Sequence, residues 1–579
     1  MHELKSTLPY FRPYRTGVVL GVICVVLANA FQISGPWFMK LGIDAMDTPG
    51  VRHSTIAFYA FMMVLVAGIG GVFRFGMRQL LNGVSRRIET DLRDDFFQHL
   101  LKMDATFYGT IRTGDLMSRA TNDTLAVRMA VGPAIMYTVN TTASFVFALG
   151  FMLYISPKLT AYALVPMIVL PPIVLFFGRI IHRRFEDIQE QFSSLSTFVQ
   201  ENLTGVRLVR AYSQEREQAQ QFDAFNEDYR RRNMQLVLTA GAFHPLLMLI
   251  SGLALVLVTG LGALEVIANT ISIGDFVAFT FYLTLLIWPM IALGWVVNLY
   301  QRGAASMGRL NRILETEPSV PAPAEPASLV DARGGIEFRN VSFVYPGTDR
   351  AVIDHLSFTV PAGRTAAIMG PTGAGKSTVL ALLARLYDPT GGEILIDGIP
   401  LTEVDPAELR SRIGMVPQDP FLFSDSIEQN IGFGSSEETI WASAGVAQLH
   451  EQILEFPKGY KTILGERGIT LSGGQKQRAT LARALARDPL ILILDDALSA
   501  VDTHTETAIL DDLGDETGRC TSFIISHRAS AVMHADMILV LDEGRIVESG
   551  RHPELVEADG TYARLVQRQL LEESLTGSD

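Results

Sequence analysis

Six long, almost uncharged apolar runs lie before about residue 302, near 17–39, 55–76, 130–155, 159–180, 242–264 and 273–299. A hydrocarbon core of about 30 Å needs roughly 20 apolar residues in helical form, and each run meets that length. Beyond residue 302 the pattern changes to short apolar runs of strand length alternating with helical periodicity. The sequence therefore predicts a membrane domain over 1–314 and a soluble domain over 336–579. Between them, residues 315–335 carry Pro318, Pro321, Pro323 and Pro326, the composition of a semi-rigid linker.

Arginine and lysine set the orientation, because short loops retain them on the cytoplasmic side. Lys5, Arg12 and Arg15 precede the first run; Arg78, Arg86, Arg87 and Arg93 follow the second; Arg179, Arg183 and Arg184 follow the fourth; Arg230, Arg231 and Arg232 precede the fifth. All fall on one side, and the opposite loops are short and poor in basic residues, so both termini are expected in the cytoplasm. Ala28-Asn29-Ala30 has the small-residue pattern of a signal-peptide cleavage site, but the weakly polar run continues to Met39, which favours an uncleaved span.

The segments 77–129 and 181–241 are too long for turns and are charged with helical periodicity. Each has a break, at Tyr108-Gly109 through Thr113-Gly114-Asp115 and at Leu203-Thr204-Gly205. Glycine after a helical run is a stop signal. Each segment reads as two cytoplasmic helices joined by a transverse piece able to touch a soluble domain, or else as a solvated hairpin.

Composition narrows the partners. Of 579 residues 48% are hydrophobic, and the mean hydropathy of +0.25 exceeds the need of a soluble enzyme. The net charge of −13 without a basic stripe argues against nucleic acid. The two cysteines, Cys24 and Cys520, fall in different expected domains and predict no disulfide framework.

The soluble half carries the chemistry. Gly370, Pro371, Thr372, Gly373, Ala374, Gly375, Lys376, Ser377 and Thr378 follow an apolar strand pattern and precede a helical one, the context of a P-loop for ATP. Such a loop turns backbone N–H groups onto phosphates, its lysine reaches the β- and γ-phosphates, and the Ser377 hydroxyl is suited to Mg²⁺. The run Leu490–Leu494 delivers Asp495 and Asp496 at its end, as a Mg²⁺ and water site or as two acids capping a turn. Leu471-Ser472-Gly473-Gly474-Gln475 opens another helix, a second anion-binding end or an ordinary cap. One nucleotide has no need of two cradles in one domain, so the second is expected to face ATP held by another subunit.

That last stretch resembles the signature sequence of the ABC ATPase family, and the resemblance extends over the whole chain. It implies a six-span α-helical membrane domain plus an α/β P-loop ATPase domain with an antiparallel β subdomain. Residue by residue, Tyr345 looks like the aromatic that stacks on adenine, and Gln418 like the glutamine that contacts Mg²⁺ and the attacking water. Ser499 to Asp502 resembles the D-loop, with Val501 where leucine is usual, His527 the switch histidine, and Glu466 the exporter-specific loop. Asp495 takes a metal-binding place beside Ser377 and Gln418, while Asp496, His527 and Gln418 take the catalytic ones. The order of domains resembles exporter half-transporters of the multidrug and lipid kinds.

One position departs from the pattern. Where active members have Asp-Glu, this chain has Asp495-Asp496, and the shorter carboxylate is less able to polarise water. The expectation is a slow site on this chain, paired with a non-identical half-transporter that carries the catalytic glutamate. A homodimer in which Asp496 is adequate and a non-transporting membrane regulator are the other readings. The expected setting is the bacterial inner membrane and its lipid bilayer. A drug, a lipid and a peptide all suit the spans. Phe279, Phe281, Tyr282, Trp288, Met290 and Trp295 are candidate cavity residues or packing groups, and Arg74 and His244 are polar groups within or at the edge of the apolar runs.

Overall fold

The computed structural model describes residues 2–465, 468, 471–517 and 520–576. Two compact units emerge, Met1–Leu101 with Thr113–Thr316, and Lys102–Arg112 with Glu317–Asp579.

The first unit is built from six long helices: α1 (Arg15–Met46), α2 (His53–Lys102), α3 (Thr113–Ile155), α4 (Pro157–Thr204), α5 (Glu215–Ile267) and α6 (Ile273–Leu314). Each contains a segment apolar and long enough to cross a membrane. The helices outrun the apolar segments because their charged continuations keep helical periodicity. Ser156 caps α4, its Oγ accepting from Leu159 N at 3.1 Å, with Pro157 at the first helical position. Ser272 and Asp275 form a capping box at the start of α6. Ala28 and Asn29, in the small-residue pattern, lie buried in the middle of α1, where Asn29 Nδ2 donates to Val25 O and Asn140 Oδ1.

Met152, Leu159, Met167, Phe279, Tyr282 and Leu286 form the centre of this unit. Val64, Val72, Val165 and Val256, by contrast, are 64–71% exposed. So many large apolar side chains turned outward suit a lipid solvent, where closed helices satisfy their own backbone.

The helix breaks differ in how well glycine marks them. α4 stops at Thr204 on Gly205, and a short helix Val206–Ala211 follows. α2 instead ends at Lys102, ahead of the expected Tyr108-Gly109 break, because Asp104 caps a new short helix, Ala105–Thr110, that contains Gly109. α3 also widens into two π turns, Arg119–Asp123 and Ala130–Ala134.

Among the described residues the second unit holds two sheets. An antiparallel sheet has the order β2-β1-β4-β5, from β1 (Ile336–Val344), β2 (Ala351–Val360), β4 (Gly391–Ile396) and β5 (Ile399–Pro400). The larger sheet has the order β10-β9-β3-β8-β7-β6, from β3 (Thr365–Met369), β6 (Ile413–Val416), β7 (Ile491–Asp495), β8 (Thr521–Ile525), β9 (Met537–Asp542) and β10 (Arg545–Gly550). All of its neighbours are parallel except β10 against β9. Every residue of β7 and β8 is buried, which is why these strands read as continuous apolar runs. Helix α7 (Lys376–Leu383) packs between the sheets through Val379, Leu380 and Leu383. Part of the proline-rich stretch joins this unit: Leu329 is buried in its core, and Ala327 N donates to Glu403 O.

Candidate functional site

Parallel strands deliver their C-terminal ends to one rim of the sheet, where loops and helix N-termini gather. Here the order β3-β8-β7-β6 places along that rim the 370–376 loop, His527, Asp495-Asp496 and Gln418 in turn. The sheet thus aligns four segments that are up to 157 residues apart in sequence, between 370 and 527.

The loop after β3 has no room for side chains at two of its glycines. Gly370 has φ 147°, and an added Cβ would sit 2.1 Å from Leu541 O. Gly375 has φ 98°, with Val352 O 2.9 Å from such a Cβ. Pro371, Thr372, Gly373 and Ser377 are exposed, while Ala374, Lys376 and Thr378 are buried. The Lys376 ammonium donates to Gly370 O at 2.8 Å and Pro371 O at 2.9 Å, inside its own loop. Burial pulls this amine below the usual lysine range, and Asp495 and Asp496 act in the opposite sense. Tyr345, just beyond β1, reaches the same helix: its hydroxyl lies 3.1 Å from Thr378 Oγ1, and its ring meets Tyr387 edge-on.

Asp495 ends β7 as a buried carboxyl. Burial pushes its pKa up, the neighbouring Ser377 hydroxyl pulls it down, Asp496 raises it, and Lys376 and His527 lower it. The net shift is upward. Asp496 has a left-handed backbone, φ 48°, and its N–H donates to Ile525 O at 2.9 Å, fastening the turn to the end of β8. His527 and Gln418 are exposed on their loops. Lys376, Ser377, Asp495, Asp496 and His527 are therefore drawn together.

This set fits Mg²⁺ and a nucleotide. Mg²⁺ prefers hard oxygen ligands and uses one or two carboxylates together with substrate phosphates. The Ser377 hydroxyl and the Asp495 carboxyl, close enough for the hydroxyl to lower the pKa of the acid, offer such oxygens. Among the described residues no three His, Cys, Asp or Glu side chains form an all-protein metal cage.

Ser472, Gly473, Gly474 and Gln475 form a second cluster. Ser472 caps α8 (Gly473–Leu485): its Oγ accepts from Gln475 N at 3.2 Å, and its own N–H donates to Gln475 Oε1 at 3.0 Å. Gly474 is pressed against the loop after β7, where a Cβ would lie 2.7 Å from Ala500 O. Among the described residues, no hydrogen bond or ion pair joins this cluster to Lys376, Ser377 or Asp495.

Two residues that sequence reasoning passed over hold the Ser499–Asp502 loop. Gln477 donates to Ser499 Oγ at 2.9 Å and accepts from Ala500 N at 2.9 Å. Arg528 donates to Val501 O at 3.1 Å and Ser499 O at 3.2 Å and pairs with buried Glu506. Their only signal was position, within the signature helix and directly after His527. Glu466 lies outside the described residues.

The aromatic candidates of α6 divide. Phe279, Tyr282 and Met290 are buried, whereas Phe281, Trp288 and Trp295 are exposed. His244 lies on an exposed face of α5.

Comparison with known proteins agrees over nearly the full length. The family model described as ABC transporter transmembrane region matches residues 18–290, and that described as ABC transporter matches residues 353–499. The chain is 38% identical to the probable multidrug resistance ABC transporter ATP-binding/permease protein YheI of Bacillus subtilis, covering 98% of each. It is 36% identical to the multidrug resistance-like ATP-binding protein MdlA of Escherichia coli, covering 98% of this chain and 96% of that one. Identity to the ATP-dependent lipid A-core flippase of Haemophilus influenzae is 32%, over 98% and 97%. The structure of a bacterial Atm1-family ABC exporter with ATP bound superposes with a TM-score of 0.79 at 31% identity, covering 96% of this chain and 98% of that one. With six apolar helices ahead of a P-loop sheet that carries both the 370–378 loop and the 471–475 signature, this chain belongs to the ABC transporter family, as an exporter-type half-transporter.

Proposed function

We propose that this chain is one half of a heterodimeric ATP-driven exporter of amphipathic substrates, with a slow ATP site on its own P-loop. The observation that carries this reading is the end of β7, where Asp495 and then Asp496 occupy the rim beside Lys376 and Ser377.

With nucleotide bound, Lys376 would leave its loop carbonyls for the β- and γ-phosphates, Ser377, Asp495 and Gln418 would hold Mg²⁺, Tyr345 would stack on adenine, and His527 would meet the γ-phosphate. The 370–378 backbone cradles the phosphates at the N-terminus of α7. Mg²⁺, when bound, neutralises charge building on the phosphates. Asp496 orients water, but its carboxylate falls about 1.5 Å short of a glutamate's reach, one carbon–carbon bond. Ser472, Gly473, Gly474 and Gln475 stand apart from this set and serve a nucleotide on the partner, whose glutamate supplies the fast site.

Arginine asymmetry supports cytoplasmic termini in an inner membrane. The short helices Ala105–Thr110 and Val206–Ala211 are transverse coupling pieces; the grouping of Lys102–Arg112 with the ATPase unit supports this for the first. The exposed aromatics Phe281, Trp288 and Trp295 suit an amphipathic substrate.

A homodimer is favoured by a different observation, the presence on this chain of the P-loop, the 471–475 signature, Gln418 and His527. Purifying the chain alone separates the two. The heterodimer reading expects little ATPase until the partner is added; rapid hydrolysis by the lone chain overturns it.

A further inference from the structure

Arg74 lies near the C-terminal end of the 55–76 apolar run of α2, with its side chain exposed on this chain. α1 and α2 pack antiparallel, with Gly21 against Leu81, Gly76 against Cys24 and Gly42 against Tyr59. That register sets Arg74 beside the interior of the 17–39 run of α1, within both apolar stretches. An ionisable side chain inside an apolar span is rare and is a functional-site candidate.

Its side chain does not turn toward the basic cytoplasmic extension of α2. Helical side chains lean toward the helix N-terminus, and the Arg74 guanidinium follows that lean to hydrogen-bond Gln32 Oε1 on α1. Among the described residues no carboxylate lies within ion-pair distance of Arg74. The amide of Gln32 orients the guanidinium without neutralising it. A guanidinium has five N–H donors, most of them left free by this single contact, and the amide nitrogen of Gln32 is a further donor.

A cavity of about 210 Å³ opens at this pair. Gly35 and Gly71, with no side chain, and Ala67, with only a methyl, make it, and neither glycine has anything within 4 Å of where a Cβ would stand. Met63, Val66 and Phe31 supply apolar wall, and Phe31 is fixed by stacking on Phe73 at 5.7 Å. The space is thus cationic at one end and apolar elsewhere.

We infer that the cavity between α1 and α2 binds an anionic amphipath, with its phosphate or carboxylate on Arg74 and Gln32 and its chain along Val66 and Met63. Guanidinium matches such oxyanions with two parallel hydrogen bonds, and the apolar surroundings strengthen them. The inference rests on the exporter reading and narrows its substrate class; a bilayer lipid and a free amphipath are the two possible sources of the anion.

The test uses the assembled transporter in phosphatidylcholine nanodiscs without nucleotide, titrated with dansylaminoundecanoic acid and with its uncharged methyl ester. The acid should bind at least about tenfold more tightly than the ester, as a charge-assisted contact implies. Arg74→Gln should remove that preference, Arg74→Lys should restore part of it, and Gly71→Leu should weaken the acid by filling the space. Adding phosphatidylglycerol to the discs distinguishes the sources: competition in the wild type but not in Arg74→Gln identifies a lipid, and its absence a free amphipath. Equal binding of acid and ester, or an unchanged preference in Arg74→Gln, overturns the inference. Failure of the exporter reading is a separate result, the absence of ATP-dependent uptake of any amphipath into inverted vesicles by the wild type.

Discussion

Asp104 and Ser319, 215 residues apart, are joined by two hydrogen bonds to one carboxylate oxygen: Ser319 N donates at 2.5 Å and Ser319 Oγ at 2.7 Å. The same oxygen accepts from Val320 N at 3.1 Å, while Asp104 Oδ1 caps the short helix Ala105–Thr110 through Phe107 N at 3.2 Å. One side chain thus ties the piece between α2 and α3 to the stretch that follows α6.

Burial alone would raise the Asp104 pKa, but the bonds from Ser319, Phe107 and Val320 outweigh it and hold the carboxyl below its ordinary value. A depressed carboxyl contributes stability that is present above its unfolded pKa, near 3.9, and disappears as pH falls through the lower folded value. At neutral pH the clip is therefore fully formed. Asp104→Ala should cost about 1–3 kcal/mol by leaving buried donors unpaired. It should also reduce substrate moved per ATP, because the proposed coupling piece is released. Unchanged thermal stability together with an unchanged transport-to-ATPase ratio would dismiss both expectations.

Lys376→Ala should weaken ATP binding at this chain's site by at least about tenfold, since the charged donor that reaches the phosphates is lost. Equilibrium binding of a fluorescent ATP analogue, with the partner's P-loop lysine also replaced, reads this site alone. Undiminished affinity would remove the P-loop assignment.

Asp495 gives a prediction with a definite pH sign. Its pKa is raised, chiefly by burial, so the neutral form persists to higher pH than in an ordinary aspartate. Mg²⁺ needs the ionised form, and Mg²⁺-dependent ATP binding should begin to fall on acidification before an exposed carboxylate would titrate. A raised carboxyl favours folding at low pH, and that contribution is lost as pH rises through the folded pKa. Asp495→Asn should accordingly raise the nucleotide-free Tm at pH 8 while abolishing the Mg²⁺ dependence. A lowered Tm would mean that the charge is well compensated without metal.

Much of this was legible in the sequence, for physical reasons. A P-loop is a local device, so its residues and its strand and helix context sit within a few positions of one another. Gly205 ends α4 by a local rule as well. The end of α2 was misplaced because Asp104 acts as a cap, and its partners at Ser319 and Val320 lie on a distant stretch. Gln477 and Arg528 were missed for the same reason, since each grips a loop more than 20 residues away. The α6 aromatics carried an unread signal. Phe281, Trp288 and Trp295 recur every seven residues and share an exposed stripe, while Phe279, Tyr282 and Leu286 recur at three and four and point into the core.

The most discriminating prediction concerns Asp496 against Ser472. If the fast site uses the partner's glutamate, Asp496→Ala should change steady-state ATPase of the assembled transporter by less than about twofold. Ser472→Ala should cost far more, because by family resemblance that hydroxyl serves the partner's nucleotide, where a lost transition-state donor is worth roughly 10²–10³ in rate. Ser472 also caps α8, a loss worth about 1 kcal/mol of stability, so the variant's Tm must be measured beside its rate. Gly474→Asp is the second probe, though a side chain there would press on Ala500 O and disturb the loop that Gln477 holds. The converse substitution tests the missing methylene directly. Asp496→Glu should raise ATPase markedly, provided the left-handed turn at φ 48° accepts the longer side chain. Equal damage from Asp496→Ala and Ser472→Ala would instead make Asp496 a working catalytic base and leave the homodimer as the better reading.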